Sequence, residues 1–295
     1  MRNKAAVHYH VMLIPAIVIL AVFSIYPMFG ALIAFEDFKP GKGIWHSPFV
    51  GWDNFRYMFS LPDIKQIFYN TVSIAVLKIV FTQIFAIVFA LLLNEVRNLF
   101  FKKTVQTIVY LPHFISWVLL GGIMINLLSL DGIVNEALKA LGIPPIFFLG
   151  SNRWFPGVLV GTHVWQEFGF SAIVYLAALT GINPSLYEAA AIDGAGRLQR
   201  LLYVSLPGIA STIILLLTLD LQNVLNAGFE QILNLYNPMV YESGDIIDTY
   251  VYRAGLREFQ YELGTAVGLL KSAVSFMMIA VSYFLASRFA NYRIF

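Results

Sequence analysis

The chain has 295 residues, 59% of them hydrophobic and only 12% charged, where a soluble domain carries about 25% charged residues. That deficit excludes an ordinary water-soluble fold, and a formal net charge of +2 gives no reason to expect a nucleic-acid partner. With no cysteine in the sequence, disulfides and thiolate metal sites are excluded and the redox compartment is unreadable.

Six apolar stretches, approximately 11–35, 70–93, 104–128, 155–179, 207–225 and 265–289, are each near the length of about 20 residues that crosses hydrocarbon as a helix. Within lipid a helix satisfies its own backbone groups. The expected fold is therefore all-α: a polytopic membrane protein with six transmembrane helices over 11–289, flanked by short tails at 1–10 and 290–295. An aromatic share of 15% suits a chain that meets lipid and its interface. Arg2 and Lys4 precede the first stretch as in a signal peptide. Its apolar run is too long for one and no Ala-x-Ala site follows, so it reads as an uncleaved first helix.

Polar groups inside the stretches are costly in lipid and point to a cavity or a neighbouring helix. The second stretch carries Lys78, expected to pair within the bundle. The third holds His113 after a proline, expected to be a structural histidine because no second His or acid stands at metal spacing. In the fourth are His163, Trp165, Gln166 and Glu167. The segment from Asn183 to Pro207 then reads as a short capped helix, a break, and a helix returning to the membrane. Asn183 can cap, Pro184 suits the first helical position, and Gly194 permits the left-handed turn that ends the helix. A small, alanine-faced helix outside the bilayer can seat in another protein's groove, though local physics alone favours an ordinary helix–turn–helix loop.

The fifth stretch ends in Asp220, Gln222, Asn223 and Asn226. After it, the loop 222–263 is long for a simple connection, and its aromatic residues, among them Phe229 and Tyr250, argue for an ordered, partly inserted segment or a structural cap. In the sixth stretch Lys271 stands about one turn from the start and can snorkel outward.

With six spans both ends share a side. If that side is the cytoplasm, the inner segments hold Arg2, Lys4, Arg97, Lys102, Lys103, Arg197, Arg200, Arg288 and Arg293. The outer loops then hold Lys39, Lys42, Arg56, Lys65, Lys139, Arg153, Arg253 and Arg257. The counts are similar but the outer loops are longer, so basic density favours both termini inside.

The spacing Glu-Ala-Ala, three residues, Gly, nine residues, an aliphatic, one residue, Leu-Pro resembles the EAA loop of ABC importer permeases. It falls on Glu188, Ala189, Ala190, Gly194, Val204, Leu206 and Pro207, with Asp193 before the glycine and Val204 where that family often has Ile. Further segments resemble the LplB-type polysaccharide permeases of the carbohydrate-uptake class. They are Tyr26-Pro27-Met28, Asn94-Glu95-Val96-Arg97-Asn98, Tyr110 to Trp117, Gly228-Phe229-Glu230-Gln231-Ile232, Leu235-Tyr236-Asn237-Pro238 and Asp245 to Arg253.

The resemblance implies a type I ABC importer permease in a bacterial cytoplasmic membrane, itself not an enzyme. Its partners would be a second homologous permease subunit, two ATP-binding cassette ATPase subunits, an extracytoplasmic solute-binding protein, membrane lipid and an oligosaccharide substrate. The 183–207 loop would be the coupling helix seated in the ATPase, and Gly194→Asp is expected to uncouple hydrolysis from transport. The sequence has no phosphate-binding Gly-x-x-x-x-Gly-Lys-Ser/Thr loop. This chain is thus expected to bind no cofactor, with ATP and magnesium held by the ATPase subunits.

A sugar path needs aromatic faces and hydroxyl partners together. Trp165, Gln166, Glu167, Asp220, Asn223, Asn226, Phe229, Glu230 and Tyr250 are the candidates to line it, with hydrogen bonds between helices as the competing role for the two acids. A permease for another solute, such as glycerol phosphate, an acidic sugar or a peptide, is the alternative. Arg153, Arg253 and Arg257 could serve an anion on the outer side, but few basic residues lie in the spans. Glu167 and Asp220 alone make a poor catalytic set, which argues against a membrane-embedded enzyme. The absence of a visible inverted repeat argues against a proton-coupled transporter.

Overall fold

The computed structural model describes residues 2–289, with side chains from Val11 to Phe284 except Ser282; the expected tail at 290–295 lies outside the described residues. Described secondary structure is helical apart from one antiparallel bridge between Glu36 and Phe49. Four helices are long and apolar enough to cross a membrane, or up to six if each of two bent pairs counts as one span. The chain divides into two compact units. One is the chain up to Ile64 with Tyr250–Ser272, and the other is Lys65–Thr249 with the chain from Ala273.

In the first unit an apolar rod covers Val11–Phe35, and none of its most apolar window is buried. A helix apolar on every face and covered by no protein is at home only in lipid or against another chain. The rod widens into a π-turn at Ala21–Ile25 just before Pro27. The proline ring would otherwise meet the Phe23 carbonyl four residues back, which the looser turn relieves. The same offset recurs in the other unit, where a π-turn at Leu201–Ser205 precedes Pro207. At the rod's end the Asn54 side chain donates to the carbonyls of Ala34 (3.0 Å) and Glu36 (2.9 Å). Those are acceptors the helix end leaves open. Phe35 closes this corner against Trp52, edge-on at 5.3 Å, and Phe55.

The second unit holds the helices Ile64–Asn94, Leu99–Tyr110, Trp117–Leu128, Ile133–Ala140, Phe155–Thr180, Pro184–Ile192, Ala210–Leu221 and Phe229–Leu235. One core gathers Ile74, Phe155, Leu159, Ile232, Val240 and Ile246. A second gathers Ala86, Ala90, Ala172, Tyr175, Leu179 and Ile209. The stretch expected to cross at 104–128 is broken. A 3-10 turn at Leu111–Phe114 and extended backbone at Ile115 and Ser116 separate two helices. The freed Ile115 carbonyl accepts from Gln166 Nε2 at 3.1 Å, so a neighbouring helix re-satisfies the break as lipid cannot.

The 222–263 segment is largely helical, with Gln231, Ile232, Val240 and Ile246 fully buried. Its Phe229–Leu235 helix presses so closely on Trp117–Leu128 that a Cβ on Gly121 would stand 2.9 Å from Asn234 Cβ. Gly121→Val is therefore expected to destabilise the fold by about 1–3 kcal/mol through overpacking. Thermal unfolding of the purified protein reads this, and an unchanged midpoint would show that the two helices part without cost.

Candidate functional site

The Pro184–Ile192 helix is built as its residues dictate. Asn183 Oδ1 accepts from the Ser185 amide at 3.0 Å, and Pro184 fills the first helical position, where no donor is needed. At the other end Gly194 has φ +80. There the Gly194 amide bonds the Ala191 carbonyl (3.1 Å) and the Ala195 amide bonds that of Ala190 (2.8 Å). These are the two closures of a Schellman cap, which needs a left-handed residue at this position.

The helix turns 73° from the Phe155–Thr180 helix that leads into it, and none of its residues is buried. Glu188, Ala189 and Asp193 are exposed and Ala190 is half-buried. Ile192 is 86% exposed and Leu186 53%. The Tyr187 hydroxyl meets Ser205 Oγ at 3.0 Å, tying the helix to the π-turn ahead of exposed Pro207, with Leu206 half-buried. The result is a short, rigidly capped helix that shows apolar side chains to its surroundings.

A second feature lies among the spans. Ile79, Thr82 and Gln83 from one helix, His163, Glu167 and Ser171 from another, and Asp220 from a third line a cavity of about 180 Å³. Glu167 and Asp220 are thus brought together, and each is anchored by one oxygen. Glu167 Oε2 lies 2.9 Å from His113 Nδ1, whose ring stacks on Phe170 at 3.9 Å. Asp220 Oδ2 accepts from Gln83 Nε2, while Gln83 in turn accepts from the Tyr175 hydroxyl. Thr82 is 7% exposed, and its Oγ1 has no hydrogen-bond partner among the described residues. These polar groups stand on the facing sides of three helices, so the cavity suits a hydrogen-bonding ligand.

The remaining sequence candidates do not gather at that cavity. Trp165 lines an apolar groove with Leu77, Phe81 and Phe168. Gln166 is 3% exposed and serves the Ile115 carbonyl. Asn223 and Asn226 are exposed in the turn after Ala210–Leu221, and the Asn226 amide bonds the Asn223 carbonyl at 2.7 Å. Phe229 and exposed Glu230 open the next helix. Tyr250 is buried, with the Arg253 guanidinium 5.4 Å from its ring centre.

Five cavity residues were not among the candidates for the path: Ile79, Thr82, Gln83, Ser171, and His163, which the sequence had singled out only as a polar group of its span. The polar pair Thr82-Gln83 inside an apolar run was the signal available for two of them. Lys78 is 3% exposed; its ammonium donates to the Ala227 carbonyl (2.6 Å) and to Gln231 Oε1. Gln231 Nε2 donates onward to the Leu159 carbonyl (2.8 Å) and Thr162 Oγ1 (2.7 Å). A buried cation is thus held by polar groups without a carboxylate.

Known proteins share this architecture. The sequence profile of the binding-protein-dependent transport system inner membrane component family matches residues 83–291. Protein LplB of Bacillus subtilis (strain 168) is 40% identical over 281 residues, covering 95% of this chain and 88% of its own length. The polygalacturonan/rhamnogalacturonan transport system permease protein YteP of the same organism is 40% identical over 283 residues, 96% of this chain and 88% of its own. A chain in the crystal structure of a bacterial ABC transporter involved in the import of the acidic polysaccharide alginate superposes with a TM-score of 0.88 at 37% identity. That match covers 97% of both chains. The expected type I ABC permease fold is the one observed. This chain belongs to the binding-protein-dependent transport system inner membrane component family, the membrane-embedded permeases of ABC transporters.

Proposed function

We propose that the chain forms half of the translocation pathway of an ATP-driven importer for an oligosaccharide delivered by an extracytoplasmic binding protein. A second, homologous permease subunit supplies the other half. The chain crosses a bacterial cytoplasmic membrane six times, each bent helix pair counting as one span, with both termini in the cytoplasm. Two ATPase subunits hold ATP and magnesium, and this chain takes no cofactor.

The observation that carries the reading is the Pro184–Ile192 helix. It is capped at both ends, turned away from the preceding span, and shows Leu186 and Ile192 to its surroundings. Apolar side chains held rigidly outside the apolar spans suit a groove on a partner. Arg197 and Arg200 beside it agree with a cytoplasmic side. Glu188, Ala189, Ala190, Asp193, Gly194, Leu206 and Pro207 form this coupling element. Glu167 and Asp220 line the path. ATP acts by favouring one orientation of the permease pair through a difference in binding energy, transmitted by that helix. A second reading, an acidic polysaccharide as cargo, is favoured by the 37–40% identity to a polygalacturonan/rhamnogalacturonan permease and to a chain of an alginate importer.

Purification of the chain with its native-membrane partners, mass spectrometry of those partners, and an ATPase assay across an oligosaccharide panel test the proposal. A second permease, an ATPase, and hydrolysis stimulated by one glycan with its binding protein are expected. Recovery of a functional chain without any nucleotide-hydrolysing partner would remove it.

A further inference from the structure

Resting on the reading of the Glu167–Asp220 cavity as part of the pathway, we infer that it admits an uncharged, hydroxyl-bearing sugar unit and excludes one bearing a carboxylate. Ionised Glu167 and Asp220 only accept hydrogen bonds, while the Thr82 and Ser171 hydroxyls, Gln83 and His163 can donate as well as accept. Glu167 and Asp220 each spend one oxygen, on His113 and Gln83 respectively, and the second oxygen of each has no hydrogen-bond partner among the described residues. Thr82 Oγ1, more than nine-tenths buried, is also unpartnered and lines the same cavity. A buried polar atom left open in this way marks a place for a ligand or for water. A volume of about 180 Å³, well above the roughly 10–15 Å³ that one water needs on a probe-based measure, leaves room for one hydroxyl-rich group. Sugar hydroxyls donate to carboxylates and to a threonine oxygen.

A uronate in the same place would set its carboxylate against two others. No Lys or Arg lines the cavity to receive it. Lys78, on the same helix as Thr82, is committed to the Ala227 carbonyl and Gln231. His113 faces Glu167 Oε2, so any charge it carries offsets that acid and leaves Asp220. His163 is the other titratable group on the wall. The cavity therefore opposes the second reading, an acidic cargo of the kind named for two similar proteins, polygalacturonan and alginate.

The cysteine-free sequence allows a test that needs no knowledge of the natural cargo. In Ser171→Cys, the assembled transporter in its own membranes is treated with iodoacetamide or with iodoacetate, and alkylation of this chain is read by mass spectrometry. The two reagents differ in carrying an amide or a carboxylate. Because the same thiolate attacks the CH2 carbon of both reagents and displaces iodide, the ratio of their rates, referred to that on mercaptoethanol, reports the cavity's preference alone. A cleft of one sign changes local ion concentration by about tenfold or more, so iodoacetamide is expected to be favoured by that factor.

The preference should collapse in Ser171→Cys carrying Glu167→Gln and Asp220→Asn. Asp220→Asn alone, which keeps an acceptor for Gln83, should reduce it if the double change does not assemble. A ratio equal to that on mercaptoethanol overturns the exclusion of carboxylates while leaving the pathway intact. A raised ratio unmoved by these changes overturns the assignment to the two acids. Absence of reaction with both reagents, at rest and during ATP turnover, overturns the pathway reading itself.

Discussion

Alanine in place of Gly228 is expected to cost about 3 kcal/mol of stability, from left-handed strain of about 1–2 kcal/mol and the disturbance of a charged hydrogen bond. Gly228 has φ +91, and a Cβ there would stand 2.8 Å from Lys78 Nζ. That ammonium holds the Ala227 carbonyl and Gln231, and Gln231 holds Leu159 and Thr162. The substitution therefore strains one turn and also loosens the three-helix junction at which the Phe229–Leu235 helix is set. Thermal unfolding of the purified transporter reads the loss. Repeating the change in a Lys78→Met background separates its two sources, since the part due to the ammonium should vanish there and the backbone strain should persist. An unchanged unfolding midpoint in Gly228→Ala would overturn both the left-handed strain and the placement of the ammonium. An equal loss in the two backgrounds would overturn the ammonium's part alone.

The second large effect is on coupling. At Gly194 nothing lies within 4 Å of where a Cβ would stand, so a side chain there meets no clash, and the constraint is the φ of +80 alone. Gly194→Asp is expected to uncouple ATP hydrolysis from transport while leaving membrane insertion intact. Gly194→Val should act more strongly, because a β-branched residue tolerates a left-handed backbone worse than Asp does. Strain of about 1–3 kcal/mol is enough to undo the cap that holds Ile192 in place. Transport per ATP hydrolysed should then fall by about tenfold or more, and Gly194→Asn should be mildest. Reconstituted vesicles assayed for both uptake and hydrolysis decide it. Wild-type coupling in Gly194→Asp and Gly194→Val would mean that this helix is not the element ATP acts on.

Local chemistry made part of this protein legible in advance. The apolar lengths that define a membrane-spanning helical fold, the Asn183 and Gly194 caps, and the spacing of the Glu188–Pro207 segment are all set within a few residues of chain. Such features are readable because the atoms that satisfy them are close in sequence. The π-turns before Pro27 and Pro207 have an equally local cause, a proline ring and the carbonyl four residues back, although the sequence reading did not name them.

Other features were decided only by tertiary structure. In sequence, Gln166 and Glu167 are equivalent polar residues in one span. Consecutive helical residues point about 100° apart, and the structure sends the first to the Ile115 carbonyl and the second to a cavity shared with Asp220. The break at 111–116 has a proline to announce it, but the side chain that makes it tolerable comes from residues some 50 positions away. Lys78 likewise looked for a partner, and nothing near it in the chain named Ala227 or Gln231, about 150 residues on. Composition carried the membrane, the motif resemblance carried the family, and local chemistry carried the capped helix at Pro184–Ile192. Which polar groups are consumed in holding helices together, and which remain open to a ligand, depends on partners that only folding brings within hydrogen-bonding distance.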